Sequence, residues 1–346
     1  MGVAACALSA ATAGAVEPEQ RTYVIATASK GGVYYPVGAA LAALARAQTP
    51  GLRVEAVVSA GSVANVDLLN DDAAQFAIIQ GLAAGQARIG ADAFADRPPR
   101  RDLRAIGALW PNVEQFVIRR SAVDTGTIAD LVALRGRGVR AALGSPKSGA
   151  LNSNRALLAS FGVDVERDFT LVDYGYADAA RALRDGRIDV MSAPSGLPSP
   201  AVADAFGALG DDLAILSFAP AQQATANSSS AAARSLWRAH VIPAGLYPSV
   251  DEDVPTLAQP NLLVTHARVD EGVVYQMTRV IYENIAALEI AHRATAALNV
   301  ETALAALPIP LHAGARRFYR ELGITRSSLS GPVDDARLQR KGDSSR

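Results

Sequence analysis

The sequence has 346 residues, half of them apolar, and a formal net charge of −1. This length predicts about two domains, and the apolar content excludes global disorder. Lys and Arg form no strongly basic block ahead of the C-terminal tail, which argues against nucleic-acid binding and against adsorption to a membrane surface.

The N-terminus has the features of a possible signal peptide. Residues 1–15 are small and apolar, end in Ala13-Gly14-Ala15, and are followed by a polar stretch, as at a signal-peptidase site. No basic residue precedes the run, which a start codon placed too late would explain. We expect a periplasmic protein, in which Cys6 is either lost with the leader or carries a lipid anchor.

Residues that commonly hold metals or perform catalysis are scattered. Cys6 is the only cysteine, and the four histidines form no HExxH pair, so neither a disulfide nor a local metal motif is present. No G-x-S-x-G nucleophile elbow occurs. We expect no catalytic residue, no metal and no cofactor.

From residue 22 onward, short apolar runs alternate with helical patterns. The expected elements before residue 110 are strand Thr22–Ala26, helix Val37–Gln48, strand Arg53–Ser59, helix Ser62–Asn70, strand Phe76–Gln80, helix Gly81–Ile89 and strand Leu103–Leu109. Trp110-Pro111-Asn112 is expected to break the pattern. Later elements include strand Glu114–Arg120, strand Val139–Leu143, helix Ser148–Phe161, helix Pro200–Leu209, strand Asn261–Thr265 and helices Glu271–Ala291 and Thr295–Leu307. Such βα repetition predicts parallel sheets covered by helices.

The chain is expected to pass twice between two α/β lobes, near Trp110 and near His240. The first lobe is then discontinuous, residues 22–109 plus 243–325, and the second comprises residues 112–240. The tail, residues 327–346, is rich in Ser, Asp and Arg and is expected to be disordered. Two lobes of this kind form a hinged cleft, whose closure is the expected motion.

Three strand-to-helix turns share one chemistry. They are Ala26–Pro36, Ser59–Asn65 and Leu143–Ala150, which combine glycine with small hydroxyl residues. Such turns expose backbone N–H groups at helix N-termini, where the partial charge is positive. Because all three follow strands, we expect them to meet at one cleft and hold a small anion, most simply a carboxylate. Each turn alone is also explained by glycine conformation or by helix capping.

Other polar residues belong to the same sheet edge. Gln80 ends a strand, and Ser195 and Gly196 follow another. Lys147 either pairs with a carboxylate or is an ordinary solvated lysine.

These segments resemble the TAXI family of solute-binding receptors of TRAP (tripartite ATP-independent periplasmic) transporters. The likeness extends from Thr22 to Gly323. It rests on the number, order and spacing of several motifs: Thr27 with Gly31–Pro36, Gly61–Asn65, Ala77–Gln80, Gly144 and Pro146 with Ser148-Gly149, Gly196–Pro200, Ile242–Pro248 and Pro308–Ala315.

The resemblance implies a periplasmic-binding-protein-like α/β fold, with the ligand enclosed between two lobes. It also implies delivery of a small organic acid, such as a dicarboxylate or glutamate, to a TRAP membrane permease subunit; a monomer is expected. An extracytoplasmic sensor subunit is the alternative function. The family's ligand loops map onto Thr27, Gly31, Gly32, Tyr34, Tyr35, Ser62, Asn65, Gln80, Ser145, Ser148, Gly149, Ser195 and Gly196.

The chain departs from the family pattern at the turns themselves. Lys30 and Lys147 replace small residues, and Ala150 removes a hydroxyl. Two added ammonium groups predict a ligand more acidic than a neutral amino acid. One of Tyr34 and Tyr35 is expected to wall the cleft, and the sequence does not distinguish them.

Overall fold

The computed structural model describes residues 21–227 and 236–324. The predicted signal peptide, residues 1–15 with Cys6, lies outside these ranges, and so does the predicted disordered tail, residues 327–346. Within the described ranges, no helix is both long and apolar enough to cross a membrane.

The strands of the described residues are short, with two exceptions of eleven and thirteen residues. They are β1 (Thr22–Ala26), β2 (Arg53–Val57), β3 (Phe76–Gln80), β4 (Leu103–Val113), β5 (Phe116–Arg119), β6 (Arg140–Ala142), β7 (Thr170–Leu171), β8 (Val190–Ser192), β9 (Leu213–Ile215), β10 (Arg238–Ile242) and β11 (Val254–His266).

Helices follow most of these strands. They are α1 (Tyr34–Gln48), α2 (Ser62–Asn70), α3 (Gly81–Ile89), α4 (Ile128–Ala133), α5 (Gly149–Ala159), α6 (Val165–Asp168), α7 (Tyr176–Arg184), α8 (Pro200–Leu209), α9 (Pro220–Ala226), α10 (Glu271–Glu283), α11 (Ile285–Ala291) and α12 (Ala313–Glu321).

The first lobe is built on a six-stranded sheet in the order β10-β11-β3-β1-β2, with β4 on the other edge of β11. Strands β1, β2 and β3 are parallel, whereas β11 runs antiparallel to β3, β4 and β10. Its core joins side chains of the sheet, such as Ile25 and Phe76, to Leu41 of α1 and Met277 of α10. The predicted parallel sheet is therefore parallel only in its first half.

The second lobe is built on a five-stranded sheet in the order β7-β6-β8-β5-β9. Strands β6, β7 and β8 are parallel, and β5 is antiparallel to β8 and β9. Phe116 and Ile118 enter one apolar cluster and Val117 enters another, because successive side chains of a strand point to opposite faces. Both faces of this sheet are therefore covered.

Strands β4 and β11 form an antiparallel ribbon that joins the lobes, here called the hinge ribbon. The ribbon continues past Val113, where the Glu114 N–H donates to the Leu257 carbonyl at 2.8 Å. Near the start of β11, the Pro255 carbonyl accepts a hydrogen bond from the Phe218 N–H of the second lobe. Two adjacent chain crossings of this kind leave few backbone angles to change when the lobes move.

The structure corrects three expected elements. The expected break at Trp110-Pro111-Asn112 lies inside β4, because Pro111 faces Pro260 across the ribbon, where the pairing shifts register. The expected helix Glu271–Ala291 is interrupted at Asn284, whose φ of −128° is not helical. The expected helix Thr295–Leu307 is absent from the described residues, which have a 3₁₀ turn at Arg293–Ala297 followed by irregular turns.

Candidate functional site

A cavity of about 140 Å³ lies between the two lobes, where the parallel strands of both sheets end. For comparison, an apolar cavity of about 150 Å³ can hold benzene, so this space suits a small molecule. Its wall is formed by Ala28, Ser29, Gly32, Val33, Tyr34, Ser59, Ala60, Gly61, Ser62, Gln80, Gly144, Ser145, Ser148, Gly149, Ala150, Tyr174, Gly175, Tyr176, Pro194 and Ser195.

The turn between β1 and α1 supplies the first part of the wall. Tyr34 begins α1, and its hydroxyl donates to Asn261 Oδ1 at 2.5 Å. Its ring meets the Trp110 ring edge-on, with centroids 6.2 Å apart. Burial raises the Tyr34 pKa well above its usual range, and a hydrogen bond with Ser62 opposes that shift. Tyr34 is therefore a neutral, fixed phenol at physiological pH.

The turn between β2 and α2 supplies the second part. Ser59 Oγ donates to Asn65 Oδ1 at 2.6 Å and accepts from the Gly61 N–H at 3.0 Å. Gly61 has a φ of +116°, which favours glycine over residues with a Cβ. This conformation starts α2 beside the cavity and brings Ser62 to the wall, where its Oγ accepts from the Gln80 N–H at 3.1 Å.

The turn between β6 and α5 faces the first two turns from the second lobe. Ser148 caps α5 by accepting from the Leu151 N–H at 3.0 Å. Because Gly149 has no side chain, the second lobe can lie close to Ser62 and Gln80 of the first lobe. A Cβ on Gly149 would lie 2.4 Å from Ser62 Oγ and 2.9 Å from Gln80 Cδ. The two lobes thus meet at this glycine.

A fourth turn, Tyr174-Gly175-Tyr176 between β7 and α7, completes the wall. The Tyr176 hydroxyl donates to the Pro194 carbonyl at 2.7 Å, which links this turn to the segment after β8. Burial raises the Tyr176 pKa well above its usual value, with Tyr34 and Glu114 adding smaller contributions. Both wall tyrosines with raised pKa values therefore contribute aromatic surface without charge.

Five helices begin at the cavity. The N-cap residues of α1, α2, α3, α5 and α7 all line it, three of them in the first lobe and two in the second: Val33, Gly61, Gln80, Ser148 and Gly175. The first N–H groups of a helix have no partner within the helix, and its N-terminus carries about half a positive charge. The wall therefore carries positive partial charge that comes from backbone groups.

No Lys, Arg, His, Asp or Glu is among the described residues that line the cavity. Gln80 is 2 % exposed, and its Oε1 has no hydrogen-bond partner among the described residues. An unsatisfied buried polar atom costs about 1–3 kcal/mol. A ligand that hydrogen-bonds this carboxamide would therefore gain stability from it.

The comparison with known families agrees with this architecture. The model of the NMT1-like family matches residues 25–323. The chain belongs to the NMT1-like family. Membership agrees with the expectation from sequence that this chain binds a solute rather than converts one.

Solved structures of similar fold share little sequence with the NMT1-like chain. A protein of Bordetella bronchiseptica RB50 is 14 % identical with a TM-score of 0.52, over 87 % of this chain and 98 % of that one. The alkanesulfonate-binding protein SsuA of Xanthomonas axonopodis pv. citri, bound to MOPS, is 16 % identical with a TM-score of 0.45, over 80 % and 84 %. The periplasmic aliphatic sulphonate binding protein SsuA of Escherichia coli is 15 % identical with a TM-score of 0.43, over 90 % and 95 %.

The predicted fold class is confirmed. The NMT1-like chain is an α/β protein with two lobes, each built on its own sheet, and a cleft between them; the Bordetella bronchiseptica protein shares this fold.

Eight residues predicted to bind ligand line the cavity, and they come from all three predicted turns and both lobes. Of the two adjacent tyrosines, Tyr34 lines the wall and Tyr35 does not. The eight are Gly32, Tyr34, Ser62, Gln80, Ser145, Ser148, Gly149 and Ser195.

Several other predicted residues lie behind the wall and hold its backbone. Thr27 Oγ1 donates to the Val57 carbonyl at 2.6 Å. Asn65 Nδ2 donates to the carbonyls of Thr27 at 2.7 Å and Ile78 at 2.9 Å. Gly196 packs against the Trp110 indole, which a Cβ would approach to 2.6 Å. These residues fix the ends of the strands from which the turns start.

The remaining predicted residues lie where the lobes touch or at the surface. Gly31 contacts the second lobe, since a Cβ there would lie 2.9 Å from the Ala177 nitrogen. Lys30 is exposed, with its Nζ 5.6 Å from the centroid of the Tyr35 ring. Lys147 is exposed at a φ of +60°, and its carbonyl accepts from the Ala64 N–H of α2 at 3.2 Å. Neither ammonium group belongs to the wall.

The hinge ribbon encloses one buried acid. Glu114 is 0 % exposed, and its Oε1 accepts from Ser153 Oγ at 2.8 Å. Gln259 Nε2 donates to the same Ser153 Oγ at 3.2 Å, and Gln259 Oε1 accepts from the Leu82 N–H at 2.9 Å. Desolvation raises the Glu114 pKa to about 8, and hydrogen bonds from Ser153 and Gln259 oppose the shift. This network connects both lobes to the ribbon.

The fourth turn was missed by the sequence interpretation. Tyr174 and Tyr176 were not singled out, although Tyr-Gly-Tyr between a strand and a helix repeats the pattern of the other turns. Within residues 21–227 and 236–324, no group of three or more His, Cys, Asp or Glu side chains is placed to hold a metal.

Proposed function

We propose that the protein is the periplasmic solute-binding component of a TRAP transporter, and that it captures a small organic acid for secondary active uptake. One observation carries the proposal. A cavity between two lobes is lined by the N-caps of five helices and, among its described residues, by no charged side chain.

A carboxylate fits such a wall for electrostatic reasons. The helix N-termini that line the cavity place positive partial charge beside a bound anion, and N–H groups there that have no partner in the protein can make charge-assisted hydrogen bonds to it. Enclosure between the lobes lowers the local dielectric, which strengthens those bonds. Because the donors belong to the backbone, the site needs no ammonium or guanidinium group to hold one negative charge.

The ion-coupled transporter and the wider ligand class rest on the sequence resemblance. Gly31–Pro36, Gly61–Asn65 and Pro308–Ala315 resemble TAXI receptors, whose ligands include dicarboxylates and glutamate. A membrane permease subunit then receives the ligand when the lobes separate, and the receptor itself is a monomer.

Ligand capture is tested first by native mass spectrometry of freshly purified protein, before and after mild unfolding. A co-purified small acid is expected. A thermal-shift panel of organic acids, amino acids and neutral sugars follows. Any ligand at a hundredfold excess over its Kd should add about 2.7 kcal/mol to the free energy of unfolding. Stabilisation by sugars alone would contradict the proposal.

The transporter class needs its own experiment. The protein is added to proteoliposomes that contain its candidate TRAP permease, and uptake of the identified acid is followed. Uptake that requires a sodium or proton gradient is expected. Uptake that requires ATP hydrolysis would reject the TRAP assignment while leaving ligand capture intact.

A further inference from the structure

One uncharged carboxamide, that of Gln80, lines the cavity, and a second, that of Asn261, is buried beside it. Gln80 of β3 and Asn261 of β11 are directly opposite each other in the antiparallel pair. Opposite residues in such a pair place their side chains on the same face, about 5 Å apart. Asn261 therefore lies on the same face of the sheet as Gln80, which lines the cavity, but Asn261 is not itself a wall residue.

Both carboxamides have hydrogen-bonding capacity to spare. Gln80 is 2 % exposed and Asn261 is 0 % exposed. Within the part of the chain that the structure describes, neither Gln80 Oε1 nor Asn261 Nδ2 has a partner. Tyr34 donates to Asn261 Oδ1, so the spare group of Asn261 is its donor. Gln80 Oε1 is thus an unpaired acceptor on a side chain of the wall, and Asn261 Nδ2 is an unpaired donor buried next to it on the same face of the sheet.

The charge of the wall limits what can bind there. A ligand ammonium group would need a carboxylate or several carbonyl oxygens, and the described wall residues include no Asp or Glu. A second ligand carboxylate would need a cation, and the described wall residues include no Lys or Arg. Burying an unpaired charge costs much more than burying a hydrogen-bonded neutral group.

We infer that the ligand is a small monocarboxylate whose other end carries an uncharged group able to donate and accept a hydrogen bond, such as a hydroxyl or an amide. Gln80 recognises this group, Asn261 and Tyr34 lie beside Gln80, and the helix N-termini hold the carboxylate. The inference rests on the proposed capture of an organic acid and narrows it.

A series of acids that differ only at the far end tests the inference. Isothermal titration of ligand-free protein compares butyrate, 4-hydroxybutyrate, 4-aminobutyrate and succinate, and the series is repeated with one carbon fewer and one more. At the best length, the hydroxy acid should bind at least ~10-fold more tightly than the other three, because it alone forms a hydrogen bond with Gln80 without burying a second charge.

The outcomes separate the inference from the function on which it rests. Tightest binding of the diacid or the amino acid, or equal binding of all four, would overturn the inference and leave acid capture standing. Failure of every acid at every length, together with a non-acidic molecule in the native mass spectrum, would instead remove the proposed function.

Two variants of Gln80 test whether this residue recognises the far end of the ligand. Gln80→Met keeps the length of the side chain and removes its amide, so the hydroxy acid and butyrate should then bind within ~2-fold of each other. Gln80→Glu should weaken every acid and favour 4-aminobutyrate, whereas the exposed Gln48→Glu, which makes the same charge change away from the cavity, should alter nothing. If Gln80→Met folds and retains the original preference, Gln80 does not recognise the far end of the ligand.

Discussion

Glu114 is a carboxyl without a cationic partner among the described residues, fully buried where the hinge ribbon enters the second lobe. Its pKa is raised from 4.5 to about 8 by desolvation. A raised carboxyl pKa means that the folded protein keeps a proton that the unfolded chain releases. The contribution of Glu114 to the free energy of unfolding is therefore greatest below pH 4.5 and is lost as the pH rises toward 8.

The size of the loss follows from the two pKa values. Between them, each pH unit removes about 1.4 kcal/mol from the free energy of unfolding. Near pH 8 the folded state itself begins to ionise, which reduces the slope. The wild-type protein should therefore lose about 2 kcal/mol between pH 6 and pH 8 through this residue.

Glu114→Gln removes the titration and keeps an oxygen for the Ser153 hydroxyl. Urea unfolding of the wild-type protein, Glu114→Gln and a control variant at pH 6 and pH 8 gives the six free energies needed. Wild-type protein and the exposed control Glu252→Gln should show the same loss, and Glu114→Gln should lack about 2 kcal/mol of it. An identical pH dependence in all three proteins would refute a protonated Glu114 in the ribbon.

Three further predictions concern the lobe contact, the lysines and a capped loop. Gly149→Ala should weaken ligand binding at least ~10-fold by calorimetry, because its Cβ meets the opposite lobe at 2.4 Å, whereas Gly207→Ala, which meets nothing within 4 Å, should not. Lys30→Ala and Lys147→Ala should each change the Kd by less than ~2-fold, since exposed charges off the wall are screened by salt; a larger loss would return the ammonium groups to the ligand. Desolvation by burial raises the Asp130 pKa, but its carboxylate accepts hydrogen bonds from the N–H groups of Thr125 and Gly126. Together with hydrogen bonds from the Thr125 hydroxyl and the Asp124 N–H, they outweigh desolvation and hold the Asp130 pKa below 3.8. Asp130→Asn should therefore cost about 1–3 kcal/mol at pH 7 by urea unfolding, and this difference should shrink as the pH falls below 3.8; a constant difference would assign the cost to packing.

Much of the first lobe was predictable because its signals are local. Thr22–Ala26, Ser62–Asn70, Phe76–Gln80 and Gly81–Ile89 occur at the predicted bounds. Each is an apolar or alanine-rich run bounded by glycine, serine or a polar strand end, so the chemistry that starts and stops it is close in sequence. The three turns that meet at the cavity follow from the same local rule.

The features that the sequence did not predict depend on pairing with residues far away in the chain. Pro111 lies within a strand, opposite Pro260, and nothing near Pro111 in sequence indicates that pairing. Asn261 became relevant through its place opposite Gln80. Lys30 and Lys147 were predicted to bind ligand because they lie in glycine-rich turns, and neither lines the cavity. Their neighbours in sequence do not determine where the Nζ groups lie.

The five helix ends at the cavity are divided between the lobes, three on one side and two on the other. An open protein therefore offers the proposed anionic ligand only an incomplete set of donors, and the set is completed when the lobes meet. Affinity and closure are then one equilibrium, and a partner need only separate the lobes by a few ångströms to hydrate the helix ends. Release needs no competitor for the ligand, because pulling the two halves apart dismantles the site itself.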